Sequence, residues 1–471
     1  MPSREEPSRW ALIALCLGFS LVILDTTMVT VGLPTMETGL GIRGGVAQWI
    51  VDAYTLTFAA LLLSGGALAD RWGARRVYLG GTALFAVGSA LCALATCGWM
   101  LVAARAVQGV GAAGLMPGSL SLIESSYLDA RRQARAVAVW GMVGGFAAAV
   151  GPLAGGVLVA SFGWRGLFWA NLAVAVVTLG LSRCLLREAP TSRRRVDLVG
   201  QVILFAALAA VVAGVIELGD GGAEPEWGLL LVVAGVVLAP VFAAVERRRP
   251  EPVLELGLLR HRGMRATAVV GLALNFGFYG QLFLLTGFLQ QVERMSAVQT
   301  GVVISGEALG AICGSPYGGW AVNRFSHRAA MLTGLLLGAG GLLAMAAASW
   351  ERAPGMTVAA SFVLGFGIDT AMTAATAFML RLAPSGRAGV ASALLTTARQ
   401  VGSLLGVALL GVLGDATQQS PRTFALAMLI ASLSYLGAAY LARNVHVEFG
   451  REGWRTDSVT TPPPLRSQPP T

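Results

Sequence analysis

The chain of 471 residues contains no lysine, so all 34 of its basic residues are arginine. Charge of either sign is scarce, at 13% of residues against 55% hydrophobic, and the mean hydropathy is +0.69. So apolar a composition leaves no aqueous core large enough to hide its own surface, and the main solvent must be lipid. The net charge of +9 would suggest nucleic acid as a partner if the arginines clustered. They fall between apolar runs instead, on alternate sides, which argues against such a partner. Cysteine is sparse too: Cys16, Cys92, Cys97, Cys184 and Cys313 lie in or beside apolar segments without metal-ligand spacing. They read as small hydrophobes, and neither a disulfide framework nor a metal site is implied. The three histidines, His261, His327 and His446, fall between spans or in the tail. With no nucleotide-binding glycine loop or catalytic constellation either, no enzyme and no cofactor are expected.

What the chain has in quantity is long apolar runs. A spanning helix needs about 20 such residues, and runs near 10–33, 46–68, 77–97, 99–122, 134–160, 164–184, 197–217, 227–245, 266–290, 297–321, 329–349, 355–380, 388–413 and 423–442 meet that length. With the N-terminus in the cytoplasm, about 27 arginines fall on the inner side and about five in outer loops, as the positive-inside rule requires. Both termini are then cytoplasmic. The inner loops carry Arg71, Arg75 and Arg76, then Arg131, Arg132 and Arg135, then the Arg193–Arg195 and Arg247–Arg249 runs, while the acidic loop at 220–226 is external. The first run has a short leader, an interior Asp25 and no small-residue cleavage site, so it reads as a retained helix rather than a removed signal peptide.

The runs also repeat. Gly65-Gly-Ala-Leu-Ala-Asp-Arg-Trp-Gly-Ala-Arg75, closing the second span, aligns with Gly318-Gly-Trp-Ala-Val-Asn-Arg-Phe-Ser-His-Arg328, closing the tenth. Gly402, Gly406 and Gly411, following Arg399 in span thirteen, are a weaker counterpart of the glycines in span five. Two six-helix halves at 10–184 and 266–442 account for twelve spans, because duplicated bundles enclosing a pathway are a common transporter plan. The spans at 197–217 and 227–245 are left over, within linkers covering 185–265, and are expected to pack against the outside of the halves. Residues 1–9 form a cytoplasmic leader, and 443–471, with Pro462-Pro-Pro464 and Pro469-Pro470, a polar tail expected to be disordered.

Within span five, Gly141-Met-Val-Gly-Gly-Phe-Ala-Ala-Ala-Val-Gly-Pro-Leu-Ala-Gly-Gly156 lies in an uncharged run. Its glycines allow another backbone to approach closely, and Pro152 removes a donor and clashes with the preceding turn, so a kink is expected. Gly151, Pro152, Gly155 and Gly156 resemble the antiporter signature of the major facilitator superfamily. Gly66-Ala-Leu-Ala-Asp-Arg-Trp-Gly-Ala-Arg-Arg76 resembles that family's loop signature, and Leu101-Val-Ala-Ala-Arg-Ala-Val-Gln-Gly-Val-Gly111 its fourth-helix signature. Leu24-Asp-Thr-Thr-Met-Val-Thr-Val-Gly-Leu-Pro34 is similar to the first-helix motif of the fourteen-span drug:proton antiporter branch, and Gln48-Trp-Ile-Val-Asp-Ala-Tyr54 to actinobacterial antibiotic exporters. Departures are Thr30 in place of the usual Asn, no Pro after Asn171, and Asn323 where the first repeat has Asp70. The resemblance implies an all-α membrane protein with the major facilitator fold, driven by the proton gradient and exporting drugs by alternating access.

Chemistry in such a chain must come from ionisable groups in the hydrocarbon, each expensive unless paired, hydrated or neutralised. At the rise of an α-helix, Asp25, Asp52 and Arg105 lie roughly 9 to 14 Å from the outer ends of their spans, so one layer can hold all three as a proton-coupling group. An arginine there holds the carboxylate it pairs with ionised and leaves the other free to exchange protons. The alternative is that Asp52 pairs with Arg105 as a structural bridge. Glu307, Asp369 and Arg399 lie near mid-depth, so the interior holds four acids to two bases, which suits a cationic or proton-exchanging cargo. The substrate cavity is expected to include Trp49, Tyr54, Gln108, Phe276, Tyr279, Gln290, Glu307, Asp369 and Arg399, where aromatics can stack on organic cations. Phe283 shares that expectation, and packing against neighbours is the alternative for these aromatics. The loop Gly66, Asp70, Arg71, Gly73, Arg75 and Arg76 reads as a gate reaching carboxylates or anionic lipid, or as a plain positive loop. The expected whole is a monomeric, multi-pass protein of the cytoplasmic membrane that exports a small organic cation or amphiphile. Nutrient uptake and ligand sensing are the competing functions.

Overall fold

A computed structural model of the protein describes residues 9–42, 45–127, 129–188, 197–219, 225–249, 256–351, 353–383, 388–415 and 420–444. The leader at 1–8, the Arg193–Arg195 run, most of the acidic loop at 220–226 and the proline-rich tail from 445 lie outside the described residues. Each of the fourteen apolar runs is a helix. The first half holds α1 (Arg9–Leu40), α2 (Gly45–Trp72), α3 (Ala74–Ala93), α4 (Gly98–Ser126), α5 (Ala130–Phe162) and α6 (Arg165–Leu185). Then come α7 (Leu198–Gly219) and α8 (Pro225–Glu246). The second half holds α9 (Arg262–Gly287), α10 (Ala297–Arg324), α11 (His327–Glu351), α12 (Pro354–Leu382), α13 (Ala388–Asp415) and α14 (Pro421–Arg443). A π-helical turn, Phe288–Val292, extends α9.

Helices this long and apolar form because lipid offers the backbone no other hydrogen-bond partner. Thirteen of the described helices are apolar enough to cross a membrane as they stand; α5 joins them as a bent pair, Arg135–Ala148 and Val150–Phe162, at 43° to one another. That bend falls one turn ahead of Pro152, whose missing N–H deprives the Ala148 carbonyl of its partner. The expected kink is therefore present, displaced from the proline by the length of one hydrogen bond.

The internal repeat is visible as packing. In the first half α1 packs on α5 and α6, α2 on α4, and α3 on α4 and α6; in the second, α9 packs on α13 and α14, α10 on α12, and α11 on α12 and α14. The two sets match helix for helix. Glycine makes the tightest of these approaches: a Cβ at Gly65 would run into the Ala113 carbonyl, and one at Gly365 into that of Glu307, so α2–α4 and α10–α12 meet backbone to backbone.

With an even number of spans, Arg9 and Arg443 emerge on one side, called the terminal face below, and α2 begins and α13 ends at the opposite face. The pair α7 and α8 does more than lie outside the halves. Val212, Val215 and Ile216 of α7 pack with Leu56 of α2 and with Leu404 and Ala408 of α13. Ser64 of α2 is hydrogen-bonded to Gln201 of α7. The hairpin thus straddles the seam where the first half meets the second.

Candidate functional site

Asp25, on α1, is fully buried, and its Oδ2 lies 2.5 Å from Nη1 of the buried Arg105 on α4. Arginine suits this place because its planar head satisfies several acceptors at once. Its Nη1 also donates to Gln108 Oε1 at 2.9 Å, its Nε to the Ile50 carbonyl at 3.0 Å, and its guanidinium lies 4.2 Å from the Tyr54 ring centre. Oδ1 of Asp25 accepts from Asn171 Nδ2 of α6 at 2.7 Å and from Gln108 Nε2 at 3.4 Å. Gln108 continues the network to Ser89 Oγ at 2.8 Å and accepts from the Cys92 thiol at 3.2 Å. Four helices therefore converge on one ion pair, and Asn171, a lone amide in an apolar run, is a member that depth counting did not identify.

Asp52 sits in the same stretch of α2 but does not share that pair. It is completely buried, and neither of its carboxylate oxygens has a hydrogen-bond partner among the described residues. The structural bridge to Arg105 considered for Asp52 is thus formed by Asp25 instead. The reason is helical phase: Ile50 and Tyr54 face α4 and its arginine, whereas Asp52 falls between Gln48 and Leu56 on the stripe turned toward α13 and α7.

Between the halves lies a cavity of about 350 Å³, within the size range of small-molecule sites. Tyr54, Tyr279, Glu307, Asp369 and Arg399 line it, as the sequence suggested. Trp49, Gln108, Phe276 and Gln290 do not line it, each for a geometric reason. Gln108 is drawn into the Asp25 network. At 100° per residue, Phe276 and Trp49 point away from the stripes formed by Asn275, Phe278, Tyr279 and Leu282 on α9 and by Tyr54, Thr55 and Phe58 on α2. Gln290 lies in the π turn at the opposite face, where its amide donates to the Val31 carbonyl at 2.9 Å. Phe283 is likewise a packing residue, against α13 near Gly411.

The cavity wall adds residues that sequence reading passed over. Phe19 and Trp140 stack with ring centres 3.7 Å apart and both line the cavity. Gln281 donates to Glu307 Oε1 at 2.9 Å, and Oε2 of that buried acid has no hydrogen-bond partner among the described residues. Arg399 Nε approaches Asn275 Oδ1 at 3.5 Å, and Asn275 donates to Ser403 Oγ at 3.0 Å. Two carboxyl groups, one guanidinium and several aromatic faces are thus presented to one volume.

The glycine motif of α5 serves two neighbours. A Cβ at Gly151 would strike Thr27 of α1, one at Gly155 would lie 3.0 Å from Met28 Cα, and one at Gly156 would strike the Ala297 carbonyl of α10. Across the same seam, Gly301 lies over the Pro152 carbonyl. Toward the terminal face, Gly141 and Gly145 have no close neighbour among the described residues, and both line the cavity. The bend in α5 therefore joins a closed contact at the opposite face to an open one nearer the terminal face. Gln48 reinforces the closed side, donating to the carbonyls of Val407 and Ala408 at 3.0 and 2.9 Å, as does Gln291, donating to Glu37 Oε2 at 2.9 Å.

The loop between α2 and α3 turns on Gly73, whose φ of +100° favours glycine. Here the Arg75 amide donates to Glu188 Oε1 at 2.9 Å, Arg75 Nη2 to the Arg183 carbonyl at 2.8 Å, and Arg76 lies 3.8 Å from Glu188. These contacts tie the loop to the end of α6, in the same half. Gly66 lies near Pro117 of α4, while Asp70 and Arg71 occupy the last turn of α2.

A family model described as the Major Facilitator Superfamily matches residues 15–407. The methylenomycin A resistance protein of Bacillus subtilis is 33% identical over 439 residues, covering 91% of each chain. The puromycin resistance protein pur8 of Streptomyces alboniger is 36% identical over 416 residues, covering 86% of this chain and 82% of that one. The multidrug resistance protein Stp of Mycobacterium tuberculosis is 33% identical over 401 residues, 85% of this chain and 74% of its own. Among solved structures, a peptide transporter POT in complex with sulfate superposes with a TM-score of 0.70 at 17% identity, covering 92% of this chain and 93% of that chain; so low an identity speaks for the fold alone. Two matching six-helix sets around a central cavity, and a family model spanning most of the sequence, lead to one conclusion: this multi-pass membrane protein belongs to the major facilitator superfamily.

Proposed function

We propose that the protein exports a small organic drug or antibiotic in exchange for protons, by alternating access between its two halves. The observation that carries this reading is the cavity itself, with Glu307 and Asp369 set among aromatic walls between two repeated bundles. Carboxyl groups in an apolar enclosure bind a proton or an organic cation, not both, and aromatic faces favour the planar cation. Resistance and efflux are also what the names of similar proteins describe. The arginine distribution supports a cytoplasmic terminal face, and hence a cytoplasmic-membrane protein with both termini inside. The reading takes the monomer as the working unit, since one chain contains both halves and the whole cavity.

In the proposed cycle the cavity loads from the terminal face, and cargo binding is tied to release of a proton from the buried acids. The halves then rock, cargo leaves at the opposite face, and a proton re-enters. Asp25 is the coupling acid in this reading because four helices sense its charge through Arg105, Gln108 and Asn171; it takes up a proton only when rocking of the halves parts it from Arg105, which otherwise holds it ionised. One proton entering per monovalent cation leaving moves no net charge, so the pH gradient drives accumulation, about 1.4 kcal/mol or roughly tenfold per pH unit. Inverted vesicles, with a panel of drugs supplied in the medium that bathes their cytoplasmic face, test this. Wild type should accumulate a drug when energised, lose it on addition of an uncoupler, and fail to accumulate it in Asp25→Asn. Energised accumulation at the wild-type rate in Asp25→Asn removes that residue from the mechanism, and flux in the reverse sense overturns export.

A further inference from the structure

The two seams between the halves are not alike. Along the first, Gln48 of α2 meets the Val407 and Ala408 carbonyls of α13, and α7 lies over the joint, with Val212, Val215 and Ile216 against Leu56, Leu404 and Ala408. Nearer the terminal face Gln201 of α7 continues the cover through its bond to Ser64. The second seam, between α5 and α10, has α1 behind it on the cavity side, where Ile23, Thr26 and Thr27 form part of the wall. On the lipid side no described helix covers it, and Met142 and Phe146 of α5 and Leu309 and Ile312 of α10 are exposed.

Contacts near the opposite face fix the register of this second seam. Gly156 meets Ala297 and Pro152 meets Gly301, so α5 and α10 run antiparallel, and each step forward on one is a step back on the other. Two turns toward the terminal face, the same register sets Gly145 opposite Ala308, and one turn more sets Gly141 opposite Ile312. Yet a Cβ on either glycine would meet nothing within 4 Å among the described residues. The 43° bend between the two stretches has carried the terminal limb of α5 away from α10. A gap remains: Gly141, Gly145, Ala308 and Ala311 line the cavity, while their chain neighbours Met142, Phe146, Leu309 and Ile312 are exposed. The bend falls near the middle of the span, and the two glycines lie about 6 and 12 Å from it at the rise of an α-helix. Half the hydrocarbon layer is about 15 Å deep, so the gap opens among acyl chains rather than head groups. Just inside, Glu307, next in the chain to Ala308, is buried and lines the cavity, and its Oε2 has no hydrogen-bond partner among the described residues.

We propose that the gap between α5 and α10 is a lateral doorway, through which an amphiphilic cation dissolved in the leaflet on the terminal side enters the cavity, head group toward Glu307 and apolar tail between the two helices. The doorway rests on the export reading above and deepens it by naming the cargo class. A strongly hydrated molecule has no route through acyl chains, whereas an amphiphile is already among them. The hairpin of α7 and α8 has the complementary task, keeping lipid and cargo out of the first seam, so that loading from the bilayer is one-sided.

N-dodecylpyridinium and N-butylpyridinium share a head group and differ in tail, and the pyridinium ring quenches a fluorophore on contact. The exposed Cys97, Cys184 and Cys313 are changed to serine, and a bimane label is attached at Met142→Cys beside the gap or at Val233→Cys on α8, both exposed positions. In lipid nanodiscs without a gradient, dodecylpyridinium should quench the Met142 label saturably, above the unsaturable quenching at the α8 label, and butylpyridinium should not. Gly141→Leu with Gly145→Leu fills space that no described atom occupies. It should abolish the saturable part and, in energised vesicles, raise the KM for dodecylpyridinium by a larger factor than that for butylpyridinium. Quenching at Met142 equal to that at α8, saturable quenching by both probes alike, or a saturable signal that survives filling overturns the doorway. The comparison of labels needs no filled variant, so it decides even if that variant does not fold. Export by inverted vesicles is read separately: its absence beside a saturable signal at Met142 counts against the export reading and not against the doorway.

Discussion

Replacing Asp25 by asparagine leaves the Arg105 guanidinium in a fully buried position with its counter-ion gone. It would keep the Ile50 carbonyl, the Gln108 oxygen and the Tyr54 ring, but these are dipoles and a quadrupole facing a full charge. Removing one member of a buried pair typically costs about 3–5 kcal/mol, and the surviving contacts place Asp25→Asn near the lower end, about 3 kcal/mol. Removing both charges, in Asp25→Asn with Arg105→Gln, leaves amides that Asn171 and Gln108 can satisfy, and such double replacements are often nearly neutral. The double variant should therefore be more stable than Asp25→Asn alone, with a coupling energy of at least about 2 kcal/mol in the cycle. Thermal unfolding of the four proteins in detergent micelles, followed by intrinsic fluorescence, reads the order of midpoints. Additive losses, with the double variant least stable of all, would refute the claim that this network is organised by one ion pair.

Two further outcomes follow from the glycines. Gly301→Val places methyl groups against the Pro152 carbonyl and Leu153 Cα, and overpacking of about 1–3 kcal/mol should pry α5 from α10 at the opposite face. Labels across the seam should then show the open population raised by roughly 5- to 150-fold; an unchanged distribution would mean that this contact does not hold the halves together. Gly73→Ala combines a φ of +100° with a collision against the Glu188 carboxylate, and should cost about 1–3 kcal/mol in the same unfolding assay. A variant as stable as wild type would show that the turn relaxes freely.

The sequence-based reading recovered the fold because length and apolarity are what lipid selects, and all fourteen runs of that length are helices. Depth along a helix was readable as well: counting residues from the outer ends brought Asp25 and Arg105 to one level, and the structure joins them. Direction around the helix axis was not readable. Depth counting placed Asp52 beside Arg105, yet its phase turns it to another helix, and the same loss of azimuth sent Gln108 and Phe276 into the cavity on paper. Asn171, noted only for the proline missing after it, and Gln281 were not placed in the site because each matters only through a carboxylate on a distant segment, to which one chain without its fold gives no pointer.

The hairpin of α7 and α8 has unequal attachments. Toward the terminal face Gln201 holds Ser64 through a directional bond, whereas near the opposite face Val215 and Ile216 merely rest on Leu404 and Ala408. A hydrogen bond is broken by displacement, but greasy surfaces slip past each other at little expense. In the cycle proposed above, the extra pair of helices would travel with the first bundle while α13 glides beneath it like a shaft in a bearing, screening the joint from lipid throughout the stroke.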